Sequence, residues 1–386
     1  MSSENQKKLW EHYYNTLSKG VDVGYNPKPE MYDPALSHSL KYNIAEFSAF
    51  KETSFRKQLE AALTSDGKVT PWSEFKKKAD ELNVEYNRRW LKTEYDHTVA
   101  TANMAQQWQD FEADADLYPN LRYNAVGDAR TREQHKAWDG LILPIKHEFW
   151  KTHLPPNDWG CRCNVEQTDD ASTVEPPEIA TKGAFNNNAA LSGKVFKENA
   201  YEKGLSSAEV KEAKSNLSDF LQSEKNLINT KNPKVKISLG ADLQDLRRNY
   251  QIANICAKEL DIDILIRTHN MNIGIKNPEY LIANKYLGDR KSIESLNGML
   301  KGIDTAKKQM MQSVLNPNQV PHYIIWDLDL INKIDIDLLI KNLLKKVTVE
   351  RGRTIKGMIF QHKGKVAHIT REQIIKLDFD SLNVLK

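Results

Sequence analysis

The first candidate for chemistry is a cluster of thiol and imidazole side chains near the middle of the chain. Between Tyr123 and Cys163 lie three Trp, three His and two of the three Cys. Zinc prefers thiolate sulfur and imidazole nitrogen, so the two cysteines with two of the histidines are candidate ligands, although structural zinc usually draws on Cys-x-x-Cys spacing. We favour a buried polar network with no metal or other cofactor, and a catalytic pairing of His135 with Asp139 stays a further alternative. The candidate ligands are Cys161, Cys163, His135, His147 and His153.

Turn signals and tryptophans predict how this stretch folds. Asp139-Gly140 is typical of a turn that needs a positive φ at glycine. Each tryptophan would bury a large area in a segment poor in regular structure. Cys161 and Cys163 are two residues apart, so an alternating strand would place both thiols on one face. We therefore predict a loop-rich lobe, with a short strand at the cysteines.

The second candidate is a polar run from His269 to Lys291, whose pattern predicts a β-hairpin. Isoleucines at 273 and 275 precede a turn at 277–278, and a strand at 280–282 is followed by another that ends at 289–291. On such a strand Asp289 and Lys291 point to the same face.

Two acidic residues of this run also fit a metal site. Pro278-Glu279 followed by Asp289-x-Lys291 has the P-(D/E)…(D/E)-x-K layout of metal-dependent nucleases. In that layout two carboxylates on adjacent strands hold Mg²⁺, and the lysine orients the attacking water. Mg²⁺ at Glu279 and Asp289, with Glu259 as an extra carboxylate, is therefore one interpretation of this site.

Composition limits the class of protein that presents these residues. The chain has 386 residues, 28% of them charged, with a formal net charge of +3 and a mean hydropathy of −0.63. Length favours two domains, and mixed charge does not by itself indicate nucleic acid. No apolar run is long enough to span a bilayer, the N-terminus lacks a secretion signal, and three cysteines do not make a disulfide framework. We expect a soluble protein of a reducing compartment, without a membrane partner.

Periodicity and composition divide the chain into three parts. Residues 1–166 are expected to form a helical and loop-rich module, in which a long run from Trp72 to Gln109, free of Gly and Pro, predicts a helix. Residues 167–234 hold Pro-Pro, three consecutive Asn and scattered Gly and Ser, which is typical of a linker, with one short helix. Residues 235–386 alternate short β-rich runs with helical segments and predict a separate small α+β domain. The fold class is α+β.

The first cluster resembles the phage Mu F-type head-morphogenesis domain, found in minor head proteins of tailed phages. The resemblance implies an assembly role inside the virion head, with portal and capsid proteins as partners. On that basis three arginines of the motif could contact phosphate during packaging, although loop arginines are more often salt-bridged. The matching residues are Arg130, Arg132, His135, Asp139, Gly140, Pro155, Pro156, Gly160, Cys161, Arg162 and Cys163.

The C-terminal domain is similar to the barnase–EndoU–colicin–RelE-like nuclease toxins, through the run from Asn277 to Lys291 and the strands after it. The resemblance implies metal-free RNA cleavage, in which a base removes the 2′-hydroxyl proton and Lys or Arg stabilises the phosphorane charge. We expect His269 and Lys291 to act first, then Asp289. Further titrating or charge-stabilising candidates are Arg290, Arg267, Lys365, His322, His362 and His368.

The sequence thus predicts a phage or prophage minor head protein with a ribonuclease domain that acts in the host cytoplasm. RNA is the expected substrate, DNA the alternative, and an immunity protein a further partner. A metal-dependent nuclease domain stays open, as does a purely structural protein associated with capsid or portal.

Overall fold

The computed structural model describes residues 3–65, 67–173, 175–177, 179, 183–222, 225–269, 277–311, 321–348 and 353–386. The chain divides into two units, Met1–Phe220 and Leu221–Lys386. We call them the N-terminal unit and the C-terminal unit and describe each by itself.

Long helices build the first part of the N-terminal unit. They are α1 Ser3–Gly24, α2 Pro34–Ala61, α3 Trp72–Val84 and α4 Leu91–Ala113. Asp33 caps α2, because its carboxylate accepts a hydrogen bond from the Ala35 N–H. A two-stranded hairpin, β1 Thr64–Ser65 and β2 Lys68–Val69, precedes α3. A π-helical stretch, Glu85–Trp90, joins α3 to α4, so the run predicted as one long helix is helical throughout.

Helix α1 packs against α2 and α4 through aromatic and aliphatic side chains at helical spacing. Trp10, Tyr13 and Leu17 of α1 are fully buried, as are Leu40 and Ile44 of α2. These long helices form the helical part of the module that the sequence predicts for residues 1–166.

A small sheet with two short helices follows and forms a lobe. Strand β3 Asn120–Asn124 lies between β4 Ile142–Pro144 and β5 Asn164–Thr168, and both pairings are antiparallel. In the chain, helix α5 Glu133–Ala137 lies between β3 and β4, and helix α6 Phe149–His153 lies between β4 and β5. The core of the lobe includes Trp108, Tyr123, Trp138, Phe149 and Trp150.

The segment predicted as a linker differs from that expectation. Within 167–234 the structure places two helices, α7 Ala189–Ser192 and α8 Ser207–Leu221, and the strand β6 Leu227–Asn229. The Asn43 carboxamide accepts hydrogen bonds from the N–H groups of Val195 and Phe196, at 2.9 and 2.8 Å, and donates to the Phe196 carbonyl. Few apolar residues are present, but Phe185, Val195 and Phe196 are buried, and a side-chain amide satisfies the backbone groups of the last two. Most of this segment belongs to the N-terminal unit.

The C-terminal unit contains one eight-stranded mixed sheet, in the order β13-β12-β11-β10-β9-β8-β7-β6. The pairs β7–β8, β10–β11 and β11–β12 are parallel, and the remaining pairs are antiparallel. The strands not yet given are β7 Val235–Ser238, β8 Ile264–Ile266, β9 Tyr280–Ile282, β10 Tyr286–Ser292, β11 His322–Asp327, β12 Ile355–His362 and β13 Lys365–Thr370.

Helices cover both faces of this sheet. They are α9 Leu246–Leu260, α10 Met299–Met311, α11 Ile336–Val347 and α12 Arg371–Ile375. Asn249 of α9 bonds to Tyr280 and Arg290, whereas Gln309 of α10 bonds to Lys291. Since successive side chains on a strand alternate, α9 and α10 lie on opposite faces. Gly302 lets α10 approach closely, because an added Cβ would lie 2.7 Å from the Trp326 ring.

The fold class is α+β, as predicted. The predicted strand at residues 273 and 275 lies outside the described residues. The boundary between units falls at 220/221, fourteen residues before the predicted start of the C-terminal domain at 235 (235 − 221).

Candidate functional site

One candidate site lies in the lobe, where two chain segments bring His135, Cys161 and Cys163 together. The His135 ring is buried on α5, and its Nδ1 lies 3.7 Å from the Cys161 Sγ and 3.5 Å from the Cys163 Sγ. The ligand atoms of all three residues lie within 4.8 Å of one another. Among the described residues this is a set of side chains that could hold a metal ion.

The cysteines reach His135 from a turn and not from the predicted strand. Residues 161–163 are irregular, and β5 begins only at Asn164. Gly160 has φ +66° and the Cys161 N–H bonds to the Asp158 carbonyl at 3.1 Å. This turn, rather than strand alternation, directs both thiols to the same side, while Arg162 between them is exposed.

The two thiols hydrogen-bond to each other. The hydrogen bond from the Cys161 thiol, followed by that with the His135 ring, lowers the pKa of Cys163. The same Cys161–Cys163 bond, followed by burial, raises the pKa of Cys161. Burial raises the pKa of the Tyr123 hydroxyl, which donates to the Asn157 carboxamide oxygen at 2.9 Å. The pKa shifts of the two thiols thus have one common cause, their mutual hydrogen bond.

The other two histidines do not join this cluster, so the described residues do not form the alternative zinc site with two histidine ligands. His147 pairs with Glu175 at 3.3 Å, and the His153 Nε2 lies 3.2 Å from the Ile179 carbonyl oxygen. The Asp139 carboxylate accepts a hydrogen bond from the Ala125 N–H at 2.8 Å, which places it on the turn and not on the His135 ring. The structure therefore gives no support to a His135–Asp139 dyad.

The arginines of the motif form ion pairs within the lobe. The Arg132 Nε lies 3.0 Å from the buried Asp158 carboxylate, and its Nη2 donates to the Trp159 carbonyl at 2.9 Å. Arg162 binds both carboxylate oxygens of Asp128 at 2.8 Å. Arg130 is 79% exposed and lies 4.0 Å from Asp128. Two of the three arginines therefore hold the turns of the lobe, which is the bonding typical of loop arginines.

The predicted turn at Asp139-Gly140 is confirmed. Gly140 has φ +74°, and its N–H donates to the Tyr123 carbonyl at 2.9 Å. Because glycine has no Cβ, it adopts this backbone conformation without strain. The Pro155-Pro156 peptide bond is cis.

A second candidate site lies on the face of the C-terminal sheet that α10 covers. Asp289 and Lys291 of β10 point to this face and form an ion pair, and the Lys291 Nζ also donates to the Gln309 Oε1 at 2.7 Å. Glu279 precedes β9, and its carboxylate accepts a hydrogen bond from the Arg290 N–H at 2.9 Å. Two carboxylates and a lysine therefore lie together on adjacent strands, as the acidic pattern of the sequence predicts.

Burial raises the pKa of both carboxyl groups. Burial, then the neighbouring Asp289, raises the pKa of Glu279 to about 7. Burial also raises the pKa of Asp289, while the Lys291 ammonium opposes that shift. Two carboxylates that resist ionisation together are a favourable place for a divalent cation, because the cation removes their mutual repulsion.

Arg290 lies on the opposite face and does not share this site. Its Nε donates to the Asn249 Oδ1 at 2.6 Å, and its guanidinium pairs with Asp327 at 3.4 Å and Asp245 at 3.7 Å. Alternation along β10 separates it from Asp289 and Lys291. Within the described part of the chain the Arg290 side chain therefore makes no hydrogen bond or ion pair with Asp289 or Lys291, and a shared role with them stays a prediction.

His269 also stands apart from the carboxylates. Its Nε2 lies 3.3 Å from the Asn277 Nδ2, and its Nδ1 lies 3.9 Å from Asp242. Among the described residues His269 makes no hydrogen bond or ion pair with Asp289 or Lys291. The structure thus does not bring the predicted base and charge stabiliser into contact.

The remaining histidine candidates named from the sequence lie in buried or hydrogen-bonded positions that are typical of a structural role. Burial lowers the pKa of His322 to about 4, burial lowers the pKa of His368, and the His362 Nε2 lies 2.8 Å from the Ile331 carbonyl oxygen. Glu259 is exposed at the end of α9. Sequence reasoning did not identify Gln309 as a partner of Lys291, since a single glutamine eighteen residues away carries no pattern.

Comparison with known proteins covers the lobe and the helices before it. Residues 53–166 match the family described as Phage Mu protein F like protein. The chain is 38% identical over 97 residues to a putative capsid assembly protein F of Escherichia phage Mu, covering 25% of this chain and 22% of that protein. It is 37% identical over 116 residues to the Mu-like prophage FluMu F protein of Haemophilus influenzae, covering 30% and 27%. The chain thus spans about a quarter of the length of these curated relatives.

The residues that match the Mu F-like family include His135, Cys161 and Cys163. The C-terminal unit lies outside the matched residues. No solved structure matches the chain. Among the helices that the structure describes, none combines the length and apolar character needed to cross a bilayer.

Proposed function

We propose that this protein is a phage or prophage minor head protein that acts in head morphogenesis, with portal and capsid proteins as its partners inside the virion. The observation that carries the proposal is the match of residues 53–166 to the Mu F-like family. The matched phage Mu protein is named as a putative capsid assembly protein, which supports the same role.

The construction of the lobe suits an assembly role. Its polar side chains are paired internally, for example Arg132 with Asp158 and Arg162 with Asp128, and its aromatic residues form one buried cluster. Such pairing fixes the shape of irregular segments, because it supplies partners for polar groups that no helix or strand satisfies. A defined shape is what a partner in a capsid would recognise.

The test is complementation in a phage that carries the gene. Trp138→Ala removes a fully buried side chain from the lobe and costs about 3–5 kcal/mol of stability, so the yield of DNA-filled heads should fall. Trp72→Ala, at a 73% exposed tryptophan in the same matched region, is the control and should leave the yield unchanged. Mass spectrometry of purified virions should detect the full-length chain. Normal numbers of filled heads from a deletion strain would contradict the proposal.

We further propose that the C-terminal unit is a nuclease carried by this head protein into the host cytoplasm, and that it is metal-dependent. The observation that favours this form is the placement of Glu279 and Asp289 on one face with Lys291, while His269 contacts neither Asp289 nor Lys291. Metal-free RNA cleavage through His269 and Lys291 is therefore the less supported form.

The residues fit a magnesium ion, because hard divalent cations take carboxylate oxygens and both carboxyls have a raised pKa. Bound Mg²⁺ would activate water and neutralise charge at a phosphodiester. Glu279 and Asp289 would hold the ion. Lys291, oriented by Gln309, would position the attacking water and the phosphate.

The experiment incubates the purified full chain with total RNA and with plasmid DNA, in Mg²⁺ or in EDTA. We expect degradation in Mg²⁺ that EDTA, Glu279→Gln or Asp289→Asn abolishes, and that His269→Ala and the control Lys308→Met leave intact. Lys308 is an exposed lysine next to Gln309. Activity that persists in EDTA but is lost in His269→Ala would establish the metal-free ribonuclease. A protein that degrades neither RNA nor DNA would indicate a purely structural head protein. Nuclease activity that is found only in preparations free of an inhibitory protein would indicate an immunity protein as a partner.

A further inference from the structure

We propose that His135, Cys161 and Cys163 bind a zinc ion that holds the lobe together. The three side chains come from α5 and from the turn before β5, and the histidine is separated from the two cysteines by 26 and 28 residues of chain. Their ligand atoms nevertheless converge within 4.8 Å. Tertiary folding, and not proximity in the chain, brings them together.

The spacing of these atoms is that of ligands around one ion. Zinc lies about 2.3 Å from thiolate sulfur and about 2.0 Å from imidazole nitrogen in tetrahedral geometry, which places sulfur and nitrogen about 3.6 Å apart. The observed separations between the His135 Nδ1 and the two sulfurs are 3.7 and 3.5 Å. The nitrogen and both sulfurs can therefore bind a common ion with little movement.

The surroundings favour a cation at this point. Two thiolates would carry two negative charges, while the nearby arginines are committed to Asp158 and Asp128. The Tyr123 hydroxyl donates its one hydrogen to the Asn157 carboxamide oxygen at 2.9 Å, so it does not occupy the neighbouring Cys163 sulfur. Soft thiolate and imidazole ligands select zinc over magnesium or calcium.

A cysteine–histidine hydrolase and a disulfide explain the geometry less well. A catalytic histidine needs a group that orients its second nitrogen, but the nearest polar partner of the His135 Nε2 is the Gln134 amide at 3.5 Å. All three cysteines are free thiols. With the metal on Nδ1, the His135 Nε2 would carry the proton, and a flip of the Gln134 amide, whose nitrogen faces it at 3.5 Å, would turn the amide oxygen toward that proton.

Zinc at this position would join two parts of the lobe that regular structure does not connect. Helix α5 has five residues, and residues 161–163 are irregular. Because an unfolded chain does not hold the ligands in place, the free energy of metal binding adds to the stability of the fold. Both cysteines are half-buried, so water can occupy the fourth position.

The experiment measures metal in the full chain, purified under reducing conditions without a histidine tag. Plasma mass spectrometry should find one zinc per chain. After removal of the zinc, Co²⁺ should produce the absorption of a thiolate-to-cobalt charge transfer. Cys161→Ala, Cys163→Ala and His135→Ala should lose the zinc and the absorption. The controls Cys256→Ala, at a buried thiol of α9, and His147→Ala, at a histidine of the same lobe, should keep both.

Two results on the wild-type protein decide the matter even if a ligand variant fails to fold. Absence of zinc together with absence of the cobalt absorption would overturn the proposal. So would thiols of Cys161 and Cys163 that react with a thiol reagent equally fast before and after a chelator is added. Slow reaction before the chelator and fast reaction after it is the expected result.

Discussion

At the scale of single residues, the buried carboxyl of Glu279 makes the stability of the metal-free protein depend on pH. Its pKa is raised from 4.5 to about 7, mainly by burial. Between these values the unfolded chain has lost the proton and the folded chain keeps it, so stability falls as pH rises through this window. Glu279→Gln should therefore stabilise the protein at pH 8 in EDTA by up to about 3 kcal/mol, since one unit of pKa is worth about 1.4 kcal/mol.

Urea unfolding at pH 5 and at pH 8, followed by a signal of the C-terminal unit, checks this prediction. Glu259→Gln, at an exposed glutamate of α9, should change little at either pH. A destabilised Glu279→Gln protein at pH 8 would show that the carboxylate is satisfied as an anion.

His97 gives the opposite pH dependence in the N-terminal unit. Burial against Trp159, Phe185 and Phe196 lowers its pKa from 6.5 to about 4. The unfolded chain binds the proton first, so stability is present above pH 6.5 and is lost as pH falls toward 4, by up to about 3 kcal/mol. In His97→Phe the slope of stability against pH in this window should disappear, whereas His12→Phe at an exposed histidine should keep it. An unchanged slope in His97→Phe would assign the acid sensitivity to another group.

At the scale of residues, the sequence predicted those features that depend only on the local geometry of a strand or a turn. Asp289 and Lys291 share a face because strands alternate, and Gly140 adopts a positive φ because the turn requires it. The choice of His135 over His147 and His153 depends on contacts between distant segments, which no local pattern encodes. The same is true of Arg290, whose partners Asn249 and Asp327 lie on other elements.

At the scale of elements, Asn43 of α2 holds the segment that precedes α8. Its carboxamide makes three hydrogen bonds to the backbone of Val195 and Phe196 and is buried. Asn43→Ala leaves buried N–H groups without a partner and should cost about 2–3 kcal/mol. Limited proteolysis should then cut within 183–206 faster than in wild type. Asn103→Ala, at an exposed asparagine of α4, is the control, and equal cleavage rates in both variants would contradict the role of Asn43.

This element also shows why composition mispredicted residues 167–234. Asn, Ser and Pro are typical of solvated linkers, yet here asparagine side chains satisfy backbone groups, as Asn43 and Asn188 do. Phe185, Phe196 and Tyr201 are sparse in the sequence but all are buried. Average hydropathy cannot detect a segment that contributes few apolar residues to a core built elsewhere. The long α3–α4 run was predictable because its own composition favours a helix.

At the scale of the whole molecule, each unit has its own hydrophobic core. The lobe core contains Trp138 and Trp150, and the core of the C-terminal unit contains Trp326 and Phe360. Unfolding of the full chain in a calorimeter should therefore give two transitions. If both metal proposals hold, a zinc chelator should lower the temperature of one transition, and Mg²⁺ should raise that of the other, because a ligand stabilises only the state that binds it.

Substitutions assign the two transitions. Cys163→Ala should remove the response to the zinc chelator and leave the response to Mg²⁺, whereas Asp289→Asn should do the reverse. The Mg²⁺ response should also grow from pH 6 to pH 8, because Mg²⁺ competes with the proton on Glu279, whose pKa is about 7. A single transition displaced by both variants would mean that the units unfold as one. If two transitions occur and only one of them responds to a metal, the proposal for that unit stands and the proposal for the other unit fails. The two proposals are thus tested separately, because each site lies in a unit with its own core.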